Sequence, residues 1–384
     1  MIGYVEDLGV QGGCMLVSCR CHHFGAQAAH NELGMSTISH TRATQASLAS
    51  ALNATVHALG EGAGRFVLYV ASPISHLGSR VSEPQGSENA LGQAGTSEVS
   101  DQPVDMPTPS SVSPPAPVLL IHSINAAASA AEMRPLFEAL RGECLVTAPD
   151  LPGYGLSPRD DQPYTPRGMT DAVLAAARWT AAQAGGQPIH AIAVSLGAEF
   201  LARAASEAPT LFASLTFISP TGLRGGQNLR GPAGSTRLSP MARRITRGPG
   251  WGRWLFQQLT RPAVIRYFLQ RTWGSRAIDE TLWAYDVQST RAPEAEHAPL
   301  AFLSGGLLSA DIHTVYEAIS VPVRVIHGTR GDFTDYRALP LPGCRSAWTL
   351  QVMEHCGAMP HFERLDEVMT AWRGLIAYSE DRDR

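Results

Sequence analysis

The feature that most constrains the fold is an alternation of short apolar segments with helical segments from residue 118 onward. Residues 118–122, 144–148 and 189–194 are continuous apolar runs, which is typical of strands covered on both faces. Helical periodicity follows each run, and strands resume at 323–327 and 348–353. Strands that alternate with helices form a parallel sheet, because each helix returns the chain to the same edge. We therefore predict an α/β fold: a mostly parallel sheet with helices on both faces.

Outside this alternation, the amino-acid composition and the apolar periodicity change several times along the chain. Leu48, Leu52, Val56 and Leu59 recur at steps of three and four, which predicts an amphipathic helix. The segment after it is rich in Ser, Pro and Gly and cannot bury enough apolar surface to fold, so we expect a disordered linker. The predicted units are an irregular leader (1–46), an amphipathic helix (47–74), the disordered linker (75–117), an α/β core (118–221 and 311–380) and an α-helical cap inserted into it (222–310).

Composition narrows the functional classes. The net charge of −4 gives no general attraction to nucleic acid, so we expect no nucleic-acid partner. The six cysteines are scattered, which fits a reducing compartment better than a disulfide scaffold. The chain starts with acidic residues rather than a secretory signal and has no apolar run of ~18 residues, so we expect a cytoplasmic protein.

The leader contains a cluster of metal-ligand residue types, at Cys14, Cys19, Cys21, His22 and His23. Thiolates and imidazoles are zinc ligands, but zinc motifs contain a paired second half that this segment lacks. We therefore predict no metal site.

A serine follows the third predicted strand of this region in the segment Ala193-Val194-Ser195-Leu196-Gly197, and a helix follows the serine. A nucleophilic serine in this position needs small residues two places before and after it, because the turn is tight. Ala193 and Gly197 meet that requirement. The helix N-terminus favours negative charge, and the Leu196 N–H would donate to an oxyanion. The alternative is a serine that only caps a helix.

Several segments in the same order resemble the α/β-hydrolase superfamily, over about two thirds of the chain. That resemblance implies a serine nucleophile, a cap over the site, and a second oxyanion donor in the N–H of Ile124. The strand pair that usually precedes residue 118 in the family is not evident, since the linker stands there. The segments that carry the resemblance are the serine turn, His122-Ser123-Ile124-Asn125, Asp150-Leu151-Pro152-Gly153-Tyr154-Gly155-Leu156-Ser157, His327-Gly328-Thr329-Arg330-Gly331-Asp332 and Gly357-Ala358-Met359-Pro360-His361-Phe362-Glu363.

Two departures affect the catalytic triad that the resemblance implies. Ala358 stands at the family's histidine position, and Gly331 stands at the acid position with Asp332 one place later. A serine hydroxyl needs a base to become nucleophilic. The best available partners are Asp332 and His361, with His355 as a second candidate base. The alternatives are that triad hydrolysis is lost, and that His361 only orients the closing helix.

The predicted cap contains a basic and aromatic stretch. Residues 222–276 contain eleven arginines, six aromatic residues and no Asp or Glu. Such a surface suits an anionic membrane or an acidic substrate. The alternative is a solvated face whose arginines pair with acids elsewhere, such as Asp279 and Glu280. We hypothesise peripheral membrane contact through this stretch.

The sequence therefore predicts a capped serine hydrolase that acts on a small, hydrophobic ester-like or other carbonyl substrate. Ser195, Asp332 and His361 are the predicted catalytic residues, and no cofactor is implied. Leu196, Ile124, Ser123 and Asn125 are predicted to form the oxyanion and substrate site, although Asn125 could equally hold its own loop by local hydrogen bonds. The alternative function is a non-catalytic binding protein that keeps the fold.

Overall fold

The computed structural model describes residues 48–73, 116–248, 250–339, 341, 343–344 and 347–382. The predicted leader, its cysteine–histidine cluster and nearly all of the predicted linker lie outside these residues.

An eight-stranded sheet forms the centre of the protein. Its strands lie in the order β1-β2-β4-β3-β5-β6-β7-β8, and every pair from β4 to β8 is parallel, as predicted. The strands are β1 (Thr55–Leu59), β2 (Phe66–Ala71), β3 (Val118–Ile121), β4 (Val146–Asp150), β5 (Ile189–Val194), β6 (Phe212–Ile218), β7 (Val323–Gly328) and β8 (Trp348–Met353).

Helices cover both faces of the sheet and continue through the insertion. The helices are α1 (Arg134–Leu140), α2 (Pro166–Gln183), α3 (Gly197–Glu207), α4 (Pro240–Thr246), α5 (Trp251–Leu259), α6 (Pro262–Trp273), α7 (Glu280–Ser289), α8 (His297–Leu303), α9 (Ile312–Ala318), α10 (Pro360–Glu363) and α11 (Leu365–Arg382).

Apolar packing on both faces explains why the core strands are unbroken apolar runs. Leu119 and Ile121 of β3 point to the face covered by α2, α3 and α9. Val118 and Leu120 point to the other face, where α1 and α11 pack. The sheet edge at the carboxyl ends of the parallel strands remains for a site, as is usual in this architecture.

The prediction of an amphipathic helix at 47–74 is wrong. The described part of this segment forms the antiparallel strands β1 and β2, and β2 pairs with the edge of β4. The strand pair that usually precedes residue 118 is therefore present, but the linker separates it from β3. Gly60 and Gly62 have φ of +78° and +52°, a left-handed conformation that starts a turn and cannot continue a helix. Phe66, Leu68 and Tyr69 are all buried, so β2 lacks the simple alternation that signals a strand.

The inserted helices α4–α8 lie between β6 and β7, as predicted for residues 222–310. We call this segment the helical insertion. Within the part of the chain that the structure describes, no helix combines the length and the apolar content needed to cross a membrane.

Candidate functional site

Ser195 lies in the tight turn between β5 and α3. Its φ is +52°, a left-handed conformation that non-glycine residues seldom adopt and that marks backbone strain. The Ser195 N–H donates to the Ile218 carbonyl at 2.8 Å, and Ala198 N–H donates back to the Ser195 carbonyl at 3.1 Å. A Cβ atom on Gly197 would lie 2.3 Å from the His122 carbonyl oxygen, which explains the need for glycine there. This geometry is the strand–turn–helix context that the sequence predicts for a nucleophile.

The two predicted oxyanion donors lie beside this turn and the end of β3. Leu196 and Ile124 are both fully buried. Among the described residues, neither backbone N–H has a hydrogen-bond acceptor. Buried N–H groups are almost always paired, so these two unpaired donors are unusual.

Ser195 lines a cavity of about 80 Å³ that lies between the core and the helical insertion. Ser123 and Asn125 of the loop after β3 line the same cavity, together with Ser219 at the end of β6 and Ala358. The insertion supplies mostly apolar walls. These are Leu259, Ile265, Phe268, Leu269 and Thr272, with the carboxyl of Asp286 among them.

A buried carboxylate organises the loop after β3. Glu132 accepts hydrogen bonds from the Ser123 N–H at 2.7 Å, from Ser123 Oγ at 2.9 Å and from Asn125 Nδ2 at 2.9 Å. Asn125 Oδ1 accepts from the Ala127 N–H at 2.7 Å. The Asn125 amide is thus engaged within its own loop, which is the second of the two roles predicted for it.

The predicted acid, Asp332, does not reach the cavity. Its carboxylate forms two hydrogen bonds with Arg271 of α6, at 2.5 and 2.7 Å. Those bonds join the loop after β7 to the helical insertion. Because a guanidinium holds both oxygens, Asp332 is committed to an ion pair.

The predicted base, His361, is also absent from the cavity wall. The ring is fully buried, and Nε2 donates to the Glu132 carbonyl at 2.8 Å. Burial lowers the pKa of His361 to about 4, so the imidazole is neutral at pH 7. Among the described residues, no histidine lines the cavity, and His355 is not part of it. The structure therefore does not bring Ser195, Asp332 and His361 together as a triad.

We expect His361→Ala to destabilise the protein by about 3 kcal/mol, since it removes a buried ring and a buried hydrogen bond. The Ser195 hydroxyl should keep its reactivity, because His361 contacts the Glu132 backbone rather than the cavity. Urea denaturation and serine-directed labelling of the same variant measure the two effects. If the variant is stable but Ser195 no longer reacts, His361 is the base.

Two cavity residues were missed in the sequence analysis. Asp286 extends from α7, where Leu282, Asp286 and Ser289 form the buried face. The signal that could have identified Asp286 is an acidic residue on the buried face of a helix. Ser219 has a φ of +46° and a buried hydroxyl without a partner among the described residues. It follows a strand without any helix signal, so the sequence does not distinguish it.

Comparisons with known proteins agree with this fold. A family model described as the alpha/beta hydrolase family matches residues 118–371, whereas no curated protein matches the sequence. A 2-hydroxy-6-oxo-6-phenylhexa-2,4-dienoate hydrolase from a Rhodococcus species is 15% identical, with a TM-score of 0.56 and coverage of 84% of this chain and 100% of that one. A putative lipase from Acinetobacter baumannii is 16% identical, with a TM-score of 0.56 and coverage of 86% and 93%. A bacterial membrane phospholipase A is 16% identical, with a TM-score of 0.55 and coverage of 85% and 87%. Identities this low indicate a shared fold only, but the family model spans more than half of the sequence. The chain belongs to the alpha/beta hydrolase family.

Proposed function

We propose that the protein is a serine hydrolase that cleaves an ester-like or other carbonyl substrate, with Ser195 as the nucleophile. The observation that carries this proposal is the strained left-handed backbone of Ser195 at the β5–α3 turn, facing a cavity. Strain of this kind costs about 1–3 kcal/mol and is concentrated at functional sites. The similar solved structures include one described as a putative lipase and a dienoate hydrolase, which is consistent with this class of reaction.

In this mechanism, Ser195 Oγ attacks the carbonyl carbon and the N–H groups of Leu196 and Ile124 stabilise the resulting oxyanion. The N-terminus of α3 adds favourable potential at the same point. Collapse releases the alcohol, and water then hydrolyses the acyl-serine. Apolar side chains of α5 and α6 line the cavity, which suits a small hydrophobic substrate.

The alternative is a non-catalytic protein that binds a ligand in the same cavity. Ala358 supports it, because the cavity has a methyl group at the family's histidine position. The test is reaction of the wild-type protein with a fluorophosphonate probe, mapped by mass spectrometry. We expect a single modification, on Ser195. Absence of any modification from pH 5 to pH 10 would favour the binding protein.

We also propose that the protein is cytoplasmic and binds the surface of an anionic membrane through α4 and α5. Four large hydrophobic side chains are exposed on these helices: Met241 (74%), Ile245 (55%), Trp251 (64%) and Trp254 (53%). Contiguous exposed apolar side chains usually mark an interaction surface, and tryptophan favours the membrane interface. We call these four residues the apolar patch.

Positive charge surrounds the apolar patch. Elsewhere in the arginine-rich stretch, Arg266 pairs with Glu280, Arg271 with Asp332 and Arg230 with Glu317. Arg243, Arg244 and Arg247 are exposed and, among the described residues, have no carboxylate partner. Arg243 and Arg247 also line a cavity of about 430 Å³ beside the patch, which Asp161 and the Arg253–Glu296 ion pair line as well. Exposed arginines without partners next to exposed tryptophans are the combination that binds anionic lipid.

Substituting glutamine for Arg243, Arg244 and Arg247 together should weaken binding to phosphatidylglycerol-containing vesicles by about 100-fold, since each charge contributes about 1 kcal/mol. Vesicle sedimentation measures the loss. Arg373→Gln is the matched control, because Arg373 is exposed on α11 and paired with Glu143. Equal binding of the wild-type protein to pure phosphatidylcholine vesicles, or no binding to either, would contradict the proposal.

A further inference from the structure

The Ser195 hydroxyl lacks a base. Among the described residues it has no hydrogen-bond partner, and no histidine lines its cavity. His122 lies beside the serine turn, but both of its ring nitrogens already have hydrogen-bond partners. Nε2 accepts from the Leu151 N–H at 2.9 Å, and Nδ1 donates to the Ser123 carbonyl at 2.5 Å. A hydrolase built on Ser195 therefore needs a proton acceptor of another type.

Asp286 is a carboxyl that the fold leaves without a partner. The residue is 4% exposed, and its Oδ1 is buried with no hydrogen-bond partner among the described residues. A buried polar atom without a partner typically costs 1–3 kcal/mol, so its presence calls for an explanation. Asp286 lines the same cavity as Ser195, on the side that the helical insertion supplies.

Charged groups around Asp286 determine where its proton resides. Burial raises the pKa of Asp286 well above its ordinary value, and the negative charge of Glu132 raises it further. Asp279 acts in the same direction as Glu132, whereas Arg134 lowers the pKa. Arg134 is itself paired with Asp279 at 2.8 Å.

Glu132 and Asp286 differ in their hydrogen bonds. Burial raises the pKa of Glu132 as well, but Ser123 and Asn125 donate hydrogen bonds to it and favour its charged form. Asp286 receives no such donor. The proton on Asp286 is therefore held more tightly than an aspartate proton usually is, and its carboxylate, once ionised, is a stronger base.

We propose that Asp286 is the proton acceptor for Ser195, in the place of the missing histidine. This inference rests on the proposed serine hydrolase function. The Asp286 carboxylate takes the Ser195 Oγ proton, directly or across one water molecule, as Oγ bonds to the carbonyl carbon. The same proton then passes to the leaving alkoxide as the carbon–oxygen bond breaks. In deacylation, a water gives its proton to Asp286 as it attacks the acyl group, and Ser195 recovers that proton when its bond to the acyl carbon breaks.

The test compares the wild-type protein with Asp286→Asn, using hydrolysis of p-nitrophenyl acetate and the rate of fluorophosphonate labelling. We expect both rates to fall by about 100- to 10,000-fold in the variant, the usual contribution of a general base. In the wild-type protein, both rates should rise with pH above the range in which an ordinary aspartate ionises, because the carboxyl has to lose its proton first and its pKa is raised. Wild-type rates that do not change between pH 5 and pH 10 would overturn the inference.

Asp366→Asn is the matched control, because it is the same substitution at an exposed position in the first turn of α11, outside the cavity and the helical insertion. Its rates should match the wild type. If Asp286→Asn also stays within twofold of the wild type while Ser195→Ala is inactive, the inference fails and the proposed function survives. If the wild type is no faster than Ser195→Ala, both fail.

Stability gives an independent readout for the same variant. The folded protein holds the pKa of Asp286 above its value of about 3.9 in the unfolded chain, so this carboxyl costs stability increasingly as the pH rises above 4. Asparagine does not ionise. Asp286→Asn should therefore gain stability relative to the wild type between pH 4 and pH 8 in urea denaturation. A loss that is the same at both pH values would indicate a structural carboxyl instead.

Discussion

Replacing Ser195 with alanine should reduce the hydrolysis of p-nitrophenyl acetate by about 10,000-fold or more, because the nucleophile itself is removed. The substitution also removes the side chain that fluorophosphonates modify, so labelling should disappear. Folding should be nearly unaffected, since the Ser195 hydroxyl has no hydrogen-bond partner among the described residues. Initial rates at substrate saturation, with far-ultraviolet circular dichroism of each variant, measure both outcomes.

Ser219→Ala is the closest control for this experiment. Ser219 lines the same cavity, has a left-handed backbone and carries a hydroxyl without a partner among the described residues. No helix begins directly after Ser219, so an alkoxide at its oxygen would lack the stabilising potential of a helix N-terminus. We expect Ser219→Ala to retain activity within a few-fold of the wild type. If Ser219→Ala is inactive while Ser195→Ala remains active, the nucleophile is Ser219 and not Ser195.

Gly197→Ala should destabilise the protein by about 3 kcal/mol, at the upper end of the range for overpacking. The new Cβ would lie 2.3 Å from the His122 carbonyl oxygen and 3.1 Å from Ile121 Cγ2. A backbone oxygen at the end of β3 cannot rotate away, so α3 has to separate from the sheet. The same displacement moves the Leu196 N–H, and serine labelling should slow together with the loss of stability.

The same substitution at Gly168 separates steric clash from the general effect of losing a glycine. Gly168 is exposed in the first turn of α2, and a Cβ there would meet only Thr165 Oγ1, at 3.6 Å. Alanine at this position should stabilise the protein by about 0.5–1 kcal/mol, because it lowers the entropy of the unfolded chain. Urea denaturation of both variants gives the comparison. Equal stability changes of the same sign would exclude the clash at Gly197.

The sequence predicted the parts of the fold that local patterns determine. The strands β3, β5 and β7 are short apolar runs between helices, and the order of these elements alone indicates a parallel sheet. The strands β1 and β2 were predicted as a helix, because Val56, Leu59 and Val67 fall at steps that also suit a helix. The pairing of β2 with β4 depends on contacts across about 80 residues of chain, which no local pattern records.

The residues of the candidate site also differ in whether local sequence predicts them. The position of Ser195 follows from five consecutive residues, since small neighbours and a strand–helix junction are local properties. Asp286 lies 91 positions later in the helical insertion. Only the packing of α7 against the core brings it to the cavity of Ser195. His361 and Asp332 were chosen because they are near the family positions in sequence, but each is held by a contact that only the folded chain reveals.

Ion pairs fasten the helical insertion to the core, among them Arg271–Asp332 and Arg134–Asp279. The partners are between 25% and 43% exposed, so dissolved ions reach them and screen their attraction. The insertion and the core together line the cavity, so a substrate enters more readily when the two separate. Ionic strength therefore changes how often the insertion separates from the core, and it does not change bond cleavage itself. An uncharged substrate should still show a salt-dependent rate wherever entry limits turnover.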